Sequence, residues 1–185
     1  YEHYLKVSPE DFERDMFIEG HVDHAILQST YLTEWYTNGF NTTDQNAQLL
    51  ERYGDRLILN GRFDPRDGDA GLKQLEADAE KYGLKGVKLY TAEWNSGSRG
   101  YKLSDPEAYV FLAKAQELGI KNIHVHKGPT IWPLDKDAFD VSDVDHAATD
   151  FPELNFIVEH VGLPRIEDFC FMATQEPNVY AGLAV

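Results

Sequence analysis

The sequence predicts an α/β fold in which parallel strands alternate with outer helices. Three observations carry this. Six short apolar, β-branched runs recur along the 185 residues, with successive starts roughly 24 to 36 residues apart, about one βαβ unit. A punctuated helical pattern lies between each neighbouring pair of runs. No G-x-G-x-x-G or Walker loop stands at any strand-to-helix junction. That weakens a doubly wound nucleotide-binding sheet and favours a (β/α) barrel.

In order, the first helical pattern is "SPEDFERDMFIEG", after the lead-in "YEHYLKV". Ser8 supplies an N-cap, Pro9 takes the first helical position and Gly20 is the stop. The first run, "VDHAILQ" (22–28), leads to the helix "NTTDQNAQLLERYG", closed by Gly54. The second, "RLILNGRF" (56–63), leads to "DAGLKQLEADAEKYG", closed by Gly83. The third, "LKGVKLY" (84–90), precedes "SDPEAYVFLAKAQELG", read as a capping box of Ser104 with Glu107, ended by Gly119. The fourth, "IKNIHVH" (120–126), the fifth, "LNFIVEH" (154–160), and the sixth, "NVYAGLAV" (178–185), are separated by "VSDVDHAATDFP" and "PRIEDFCFMATQEP". Each of these two helices ends at a proline boundary.

Composition bounds the function. With 42% hydrophobic and 12% aromatic residues, residues 1–185 can bury a sizeable core as a single domain. A net charge of -15 makes the chain a poor nucleic-acid binder. One cysteine, Cys170, excludes an intrachain disulfide and fits a reducing cytoplasm. No apolar run is long enough to span a bilayer, so no membrane partner is expected.

Side-chain parity locates the chemistry. His124 and His126 alternate with Ile123 and Val125, and Lys88 and Tyr90 oppose Val87 and Leu89. Ile58, Asn60 and Arg62 share a face, and His160 is read on the face of Phe156 and Val158. Polar residues thus gather late in four strands. In a parallel barrel that face looks into the bore, and the late positions form the C-terminal rim where catalytic groups sit. Polar strand ends without a function are the alternative, which four strands together make the weaker reading. Histidines at i and i+2 at a strand end point to a metal, against the plain alternative of a satisfied core histidine.

"FERDMFIEGHVDHAIL", "YGDRLILNGRFDP", "GLKGVKLY", "AQELGIKNIHVHKG" and "DFPELNFIVEHVG" occur in that order. Together they resemble the amidohydrolase-related family (the second amidohydrolase family), which holds zinc- or manganese-dependent hydrolases and non-oxidative aromatic decarboxylases. The resemblance implies an α/β (β/α)8 TIM-like barrel, of which the six runs are the second to seventh strands. Such a barrel takes about 250 residues, so the chain is expected to be an internal portion of a larger one, lacking the first and last strands. The resemblance further implies that His126 binds metal and that His160 either binds metal or acts beside it as acid/base. His124 is left in a supporting or core position. The family's first-strand H-x-H or E-x-H and its final-strand Asp have no counterpart here. Lys88 stands where some members of the wider superfamily carry a carboxylated lysine bridging two metals; a lysine paired with an acidic neighbour in the bore is the preferred reading.

For substrate binding, Arg62 and Asn60 could hold a carboxylate, with a structural salt bridge as an equal alternative. Tyr90 lines the bore. Trp94 lies in the loop "TAEWNSGSRGYKL", which could form a substrate wall, as could "GPTIWPLDKDAF". His21 and His24 are read as structural, and His146 as solvated or at a subunit contact. The metal expected is divalent, zinc first, with manganese or iron as alternatives. It would lower the pKa of bound water to ~7 and supply a metal-bound hydroxide. The activity expected is therefore a metal-dependent hydrolase acting on a small carboxylated or cyclic substrate. The alternatives are a non-oxidative decarboxylase on the same site, a dinuclear metal oxygenase, and a non-catalytic barrel subunit supporting an active partner. A homo-oligomer, or pairing with a related barrel subunit, is also expected.

Overall fold

The computed structural model describes residues 7–33, 36–92, 100–129 and 134–183. Six strands, β1 (Ala25–Gln28), β2 (Leu57–Arg62), β3 (Gly86–Leu89), β4 (Asn122–His126), β5 (Asn155–Glu159) and β6 (Val179–Gly182), form one sheet in sequence order. Every neighbouring pair is parallel. Helices α1 (Pro9–Phe12, continuing as a π-helical stretch Glu13–Glu19), α2 (Thr43–Tyr53), α3 (Gly68–Tyr82), α4 (Pro106–Glu117), α5 (Ser142–Asp150) and α6 (Ile166–Gln175) alternate with them. The predicted fold is present as a six-stranded part of a (β/α) barrel.

Local chemistry sets the helix ends. Ser8 Oγ accepts from Asp11 N at 3.1 Å while the Asp11 carboxylate accepts from Ser8 N, satisfying two otherwise orphaned donors. Thr42 and Gln45 do the same for α2. Gly83 and Gly119 leave α3 and α4 in the left-handed conformation, at φ 60° and 74°. The start of α4 corrects the expected Ser104–Glu107 box. Pro106 takes the first helical position and Asp105 caps, extended at φ -71°, ψ 145°. A residue before proline is pushed out of the helical region, so the helix cannot begin earlier.

The helix-facing side of the sheet holds the core. Leu59, Val87, Leu89, Ile123, Val125, Phe156 and Val158 are all buried there, packed against Leu75, Phe111, Leu112, Val144 and Ala147. Phe63 continues β2 onto Phe111 with ring centroids 4.8 Å apart. The opposite face, looking into the bore, carries Gln28, Asn60, Lys88, His124, His126 and Glu159, which register with one another across the ladder. One expectation changes here. Phe156 and Val158 belong to the helix side, and Glu159, not His160, is the bore-facing end of β5. No helix among the described residues is long and apolar enough to cross a membrane.

Candidate active site

His160 reaches the rim because the strand breaks. Immediately after β5, His160 and Val161 both take left-handed backbone, at φ 58° and 53°, followed by Gly162 at φ 68°. Two non-glycine residues in that region cost energy that the surroundings must outweigh. The result is that the imidazole turns back toward β4. His160 Nε2 lies 3.1 Å from His126 Nδ1, and the rings meet edge-on at 4.6 Å between centroids. Tyr90 stacks on the other side of His126 at 4.1 Å. Gly128 makes the approach possible: a Cβ there would stand 2.6 Å from His160 Cδ2. Burial, then the charge of Lys88, then His160 push the His126 pKa down to about 3, so its imidazole is neutral at pH 7, the form a metal requires.

Beneath this pair lies a buried polar layer around Lys88 and His124, in which Lys88 is paired with an acid that the sequence reading did not identify. Its centre is Glu159. Oε1 accepts from Gln28 Nε2 at 3.0 Å, lies 2.9 Å from His124 Nδ1 and pairs with Lys88 Nζ at 3.6 Å. Burial alone would raise this carboxyl, but the His124 hydrogen bond and the Lys88 charge outweigh it and hold it at about 2. Burial moves Lys88 the other way, down to about 8, against the pull of Glu159. Gly182 on β6 leaves room, since a Cβ there would meet Glu159 Oε2 at 2.6 Å. A signal for Glu159 existed in the sequence. It is the lone acidic residue in "FIVEH", and it alternates with the buried Phe156 and Val158.

The remaining expected residues lie elsewhere. Arg62 is turned to structure: its Nη atoms donate to the carbonyls of Thr30, Asn41 and Asn38 at 2.7–2.8 Å, and its guanidinium lies over Tyr31. That fork fastens the connection after β1, which argues against the substrate role expected above. Asn60 is 1% exposed, packed over Gly86, level with Gln28 and two residues below the Lys88 position in the ladder. Trp94 lies outside the described residues. His21, His24 and His146 are exposed and far from the rim. A second buried pair was also missed. Lys127, fully buried, reaches Asp143 Oδ1 at 2.8 Å and donates to Ala138 O at 3.0 Å, while Asp143 Oδ2 accepts from Leu103 N. It ties the connections after β3 and β4 to the start of α5, at the position immediately after His126.

Among the described residues, no three or more His, Cys, Asp or Glu side chains are arranged to hold a metal ion. His126 and His160 supply two nitrogens. On a tetrahedral zinc at ~2.0–2.1 Å from each, two such nitrogens stand about 3.3 Å apart, close to the 3.1 Å seen here. That separation is a hydrogen bond between the two rings, one N–H donating to the other nitrogen, and its length is also compatible with two corners of a metal site.

A parallel (β/α) sheet with polar groups converging at its C-terminal rim defines the class: a barrel of the kind that carries enzyme sites. The amidohydrolase family model Amidohydro_2 matches residues 1–185, and the chain belongs to that family. No curated protein sequence matches it. Among solved structures it is similar to an uncharacterised TIM-barrel protein from Bordetella bronchiseptica, with 18% identity and a TM-score of 0.76 over 95% of this chain and 59% of that one. It is also similar to 4-oxalomesaconate hydratase from Rhodopseudomonas palustris, with 17% identity and a TM-score of 0.64 over 98% and 63%. A third is 5-carboxyvanillate decarboxylase from Novosphingobium aromaticivorans, solved with bound manganese and a nitrobenzoic acid, with 19% identity and a TM-score of 0.54 over 76% and 46%. The chain thus spans less than two thirds of the length of these proteins.

Proposed function

We propose that this chain carries the His126–His160 half of a divalent-metal site in a hydrolase that acts on a small carboxylated substrate. The observation supporting this is the pair of imidazole nitrogens facing each other at 3.1 Å above a buried ammonium. When bound, such an ion polarises a carbonyl and lowers the pKa of a water to ~7. The chain's own residues do the rest. Tyr90 fixes the plane of His126, and burial keeps that ring unprotonated. His160, half-exposed at the rim, is placed to bind the ion or to hold and pass a proton at Nε2. Lys88 lies below the two rings, paired with Glu159.

Decarboxylation is the second reading, favoured by the manganese-holding decarboxylase that shares this fold. The same cation and the same proton-bearing histidine would serve a carboxylated ring. A dinuclear centre bridged by carboxylated Lys88 is disfavoured by Glu159. A carbamate on Nζ would set a second anion against the carboxylate that now lies 3.6 Å away.

The test measures metal content and turnover side by side in the intact protein, with carboxylated lactones and hydroxybenzoates as substrates. His126→Ala is expected to strip the metal and abolish turnover. If His160 is an acid/base, His160→Asn keeps the metal and loses ~10²–10⁴-fold in rate; if it is a ligand, both fall together. Wild-type metal and rate in His160→Asn would end the catalytic reading of this rim.

A further inference from the structure

The lower polar layer raises a problem of charge. Lys88 sits directly across from His124 in the ladder, and His126 is two residues further up β4. Its charge therefore bears on the imidazole pair, and it is one of the causes that depress His126. A buried ammonium this close should repel any cation that the two histidines are to hold. Yet the fold places the Glu159 carboxylate against that ammonium.

The arrangement is built. Glu159 is 4% exposed; its Oε1 is the common acceptor for Gln28 from β1 and His124 from β4, and Lys88 Nζ from β3 pairs with it electrostatically at 3.6 Å. An ionised carboxylate only accepts, so the His124 nitrogen at 2.9 Å carries the hydrogen. Gln28 Nε2, 3.3 Å from that same nitrogen, cannot bond to it as donor to donor, and both therefore converge on the one oxygen. A carboxylate fastened from three strands is held in place, not merely nearby.

We propose that Glu159 is the positioning residue of this site: its carboxylate, locked between Gln28 and His124, neutralises the Lys88 ammonium beneath the His126–His160 pair and so lets the pair take a cation. This rests on the metal reading above and deepens it. Glu159 need not touch the ion; it acts through Lys88.

The experiment is a competition titration of zinc against a chelating dye, run on wild type, Glu159→Gln, Lys88→Met and the double variant of the intact protein. Glu159→Gln keeps shape and an acceptor but removes the charge. It should weaken zinc by ~10–100-fold, the loss typical of an outer partner of a metal site. Lys88→Met should tighten zinc, because the anion remains and the cation is gone; a merely structural role has no route to that sign. The double variant should return to within a few-fold of wild type, and it keeps the test available if Glu159→Gln alone fails to fold. Separately, ¹⁵N spectra of wild type should show His124 protonated at Nδ1. Zinc binding unchanged in Glu159→Gln, or weakened in Lys88→Met, would overturn the proposal. Wild type that binds no zinc at all would instead overturn the metal reading on which it rests.

Discussion

At the scale of single residues, His126 ties protonation to stability. An unfolded histidine titrates near 6.5, and this one is held at about 3. Between those values the unfolded chain binds more protons than the folded one, so stability falls as pH drops through that window. Glu159 adds a loss of the same sign further down. Its carboxyl is held at about 2 against an ordinary 4.5, so its contribution is full above 4.5 and vanishes as pH falls through 2. The metal-free protein should therefore lose urea midpoint already between pH 6.5 and 5.5, where Glu159 is almost fully ionised in both states. His126→Asn should flatten that part of the curve. A wild-type midpoint that is level across it would contradict the account. The two residues also differ in how far they could be read. His126 was legible because a strict Ile-His-Val-His alternation assigns faces without ambiguity. His160 was placed at the right rim for the wrong reason: strand parity puts it with Phe156 and Val158, and only the left-handed turn brings it over. Glu159 escaped because a single acid at a strand end resembles any solvated terminus until its partners, 131 and 35 residues away, are in place.

Elements show the same division between local and distant causes. Caps and stops depend on neighbours in sequence, so Ser8, Gly54, Gly83 and Gly119 could be read directly. The start of α4 lies one residue later than the Ser104 cap predicts, because a plausible Ser-x-x-Glu box competed with the stronger restriction that Pro106 imposes. The π-helical stretch at Glu13–Glu19 left no local signal. Between elements, the decisive feature is Gly128, at the exit of β4. Its hydrogen faces the His160 ring, and any Cβ would come within 2.6 Å of Cδ2, closer than real contacts allow. Gly128→Ala must therefore displace the ring or the loop. The expected cost is ~1–3 kcal/mol, as for other overpacked sites, together with loss of zinc binding while the far-ultraviolet dichroism stays unchanged. Retained zinc affinity in this variant would show that His160 is not held where the β4 exit places it.

At the scale of the whole molecule, alternation makes the strands parallel, because a parallel crossover needs a helix on the outer face, and the absence of a Gly-rich strand-to-helix turn favours the sequential order of a barrel over a doubly wound one. What alternation cannot supply is what fills the bore. Bore-facing Ile26 and Ile58, low on their strands, are 46% and 40% exposed, and Tyr180 on β6, level with Ile157 and His124, is 50% exposed. Among the described residues, β1 and β6 are the two edges of the sheet. Unpaired edges beside exposed apolar side chains invite association. The net charge of -15 opposes it, and that opposition is tunable. Repulsion between copies reaches ~30 Å at about 0.01 M salt but only ~3 Å at about 1 M. Residues 1–185 prepared by themselves should therefore sediment as small species at low salt and shift to larger ones as salt rises. Lys in place of Ile26 and Ile58 should suppress the shift without changing the sign of its salt dependence. Sedimentation that is identical at both salt limits would mean that these side chains and edges are already covered within the 185 residues, and that charge has no part in keeping copies apart.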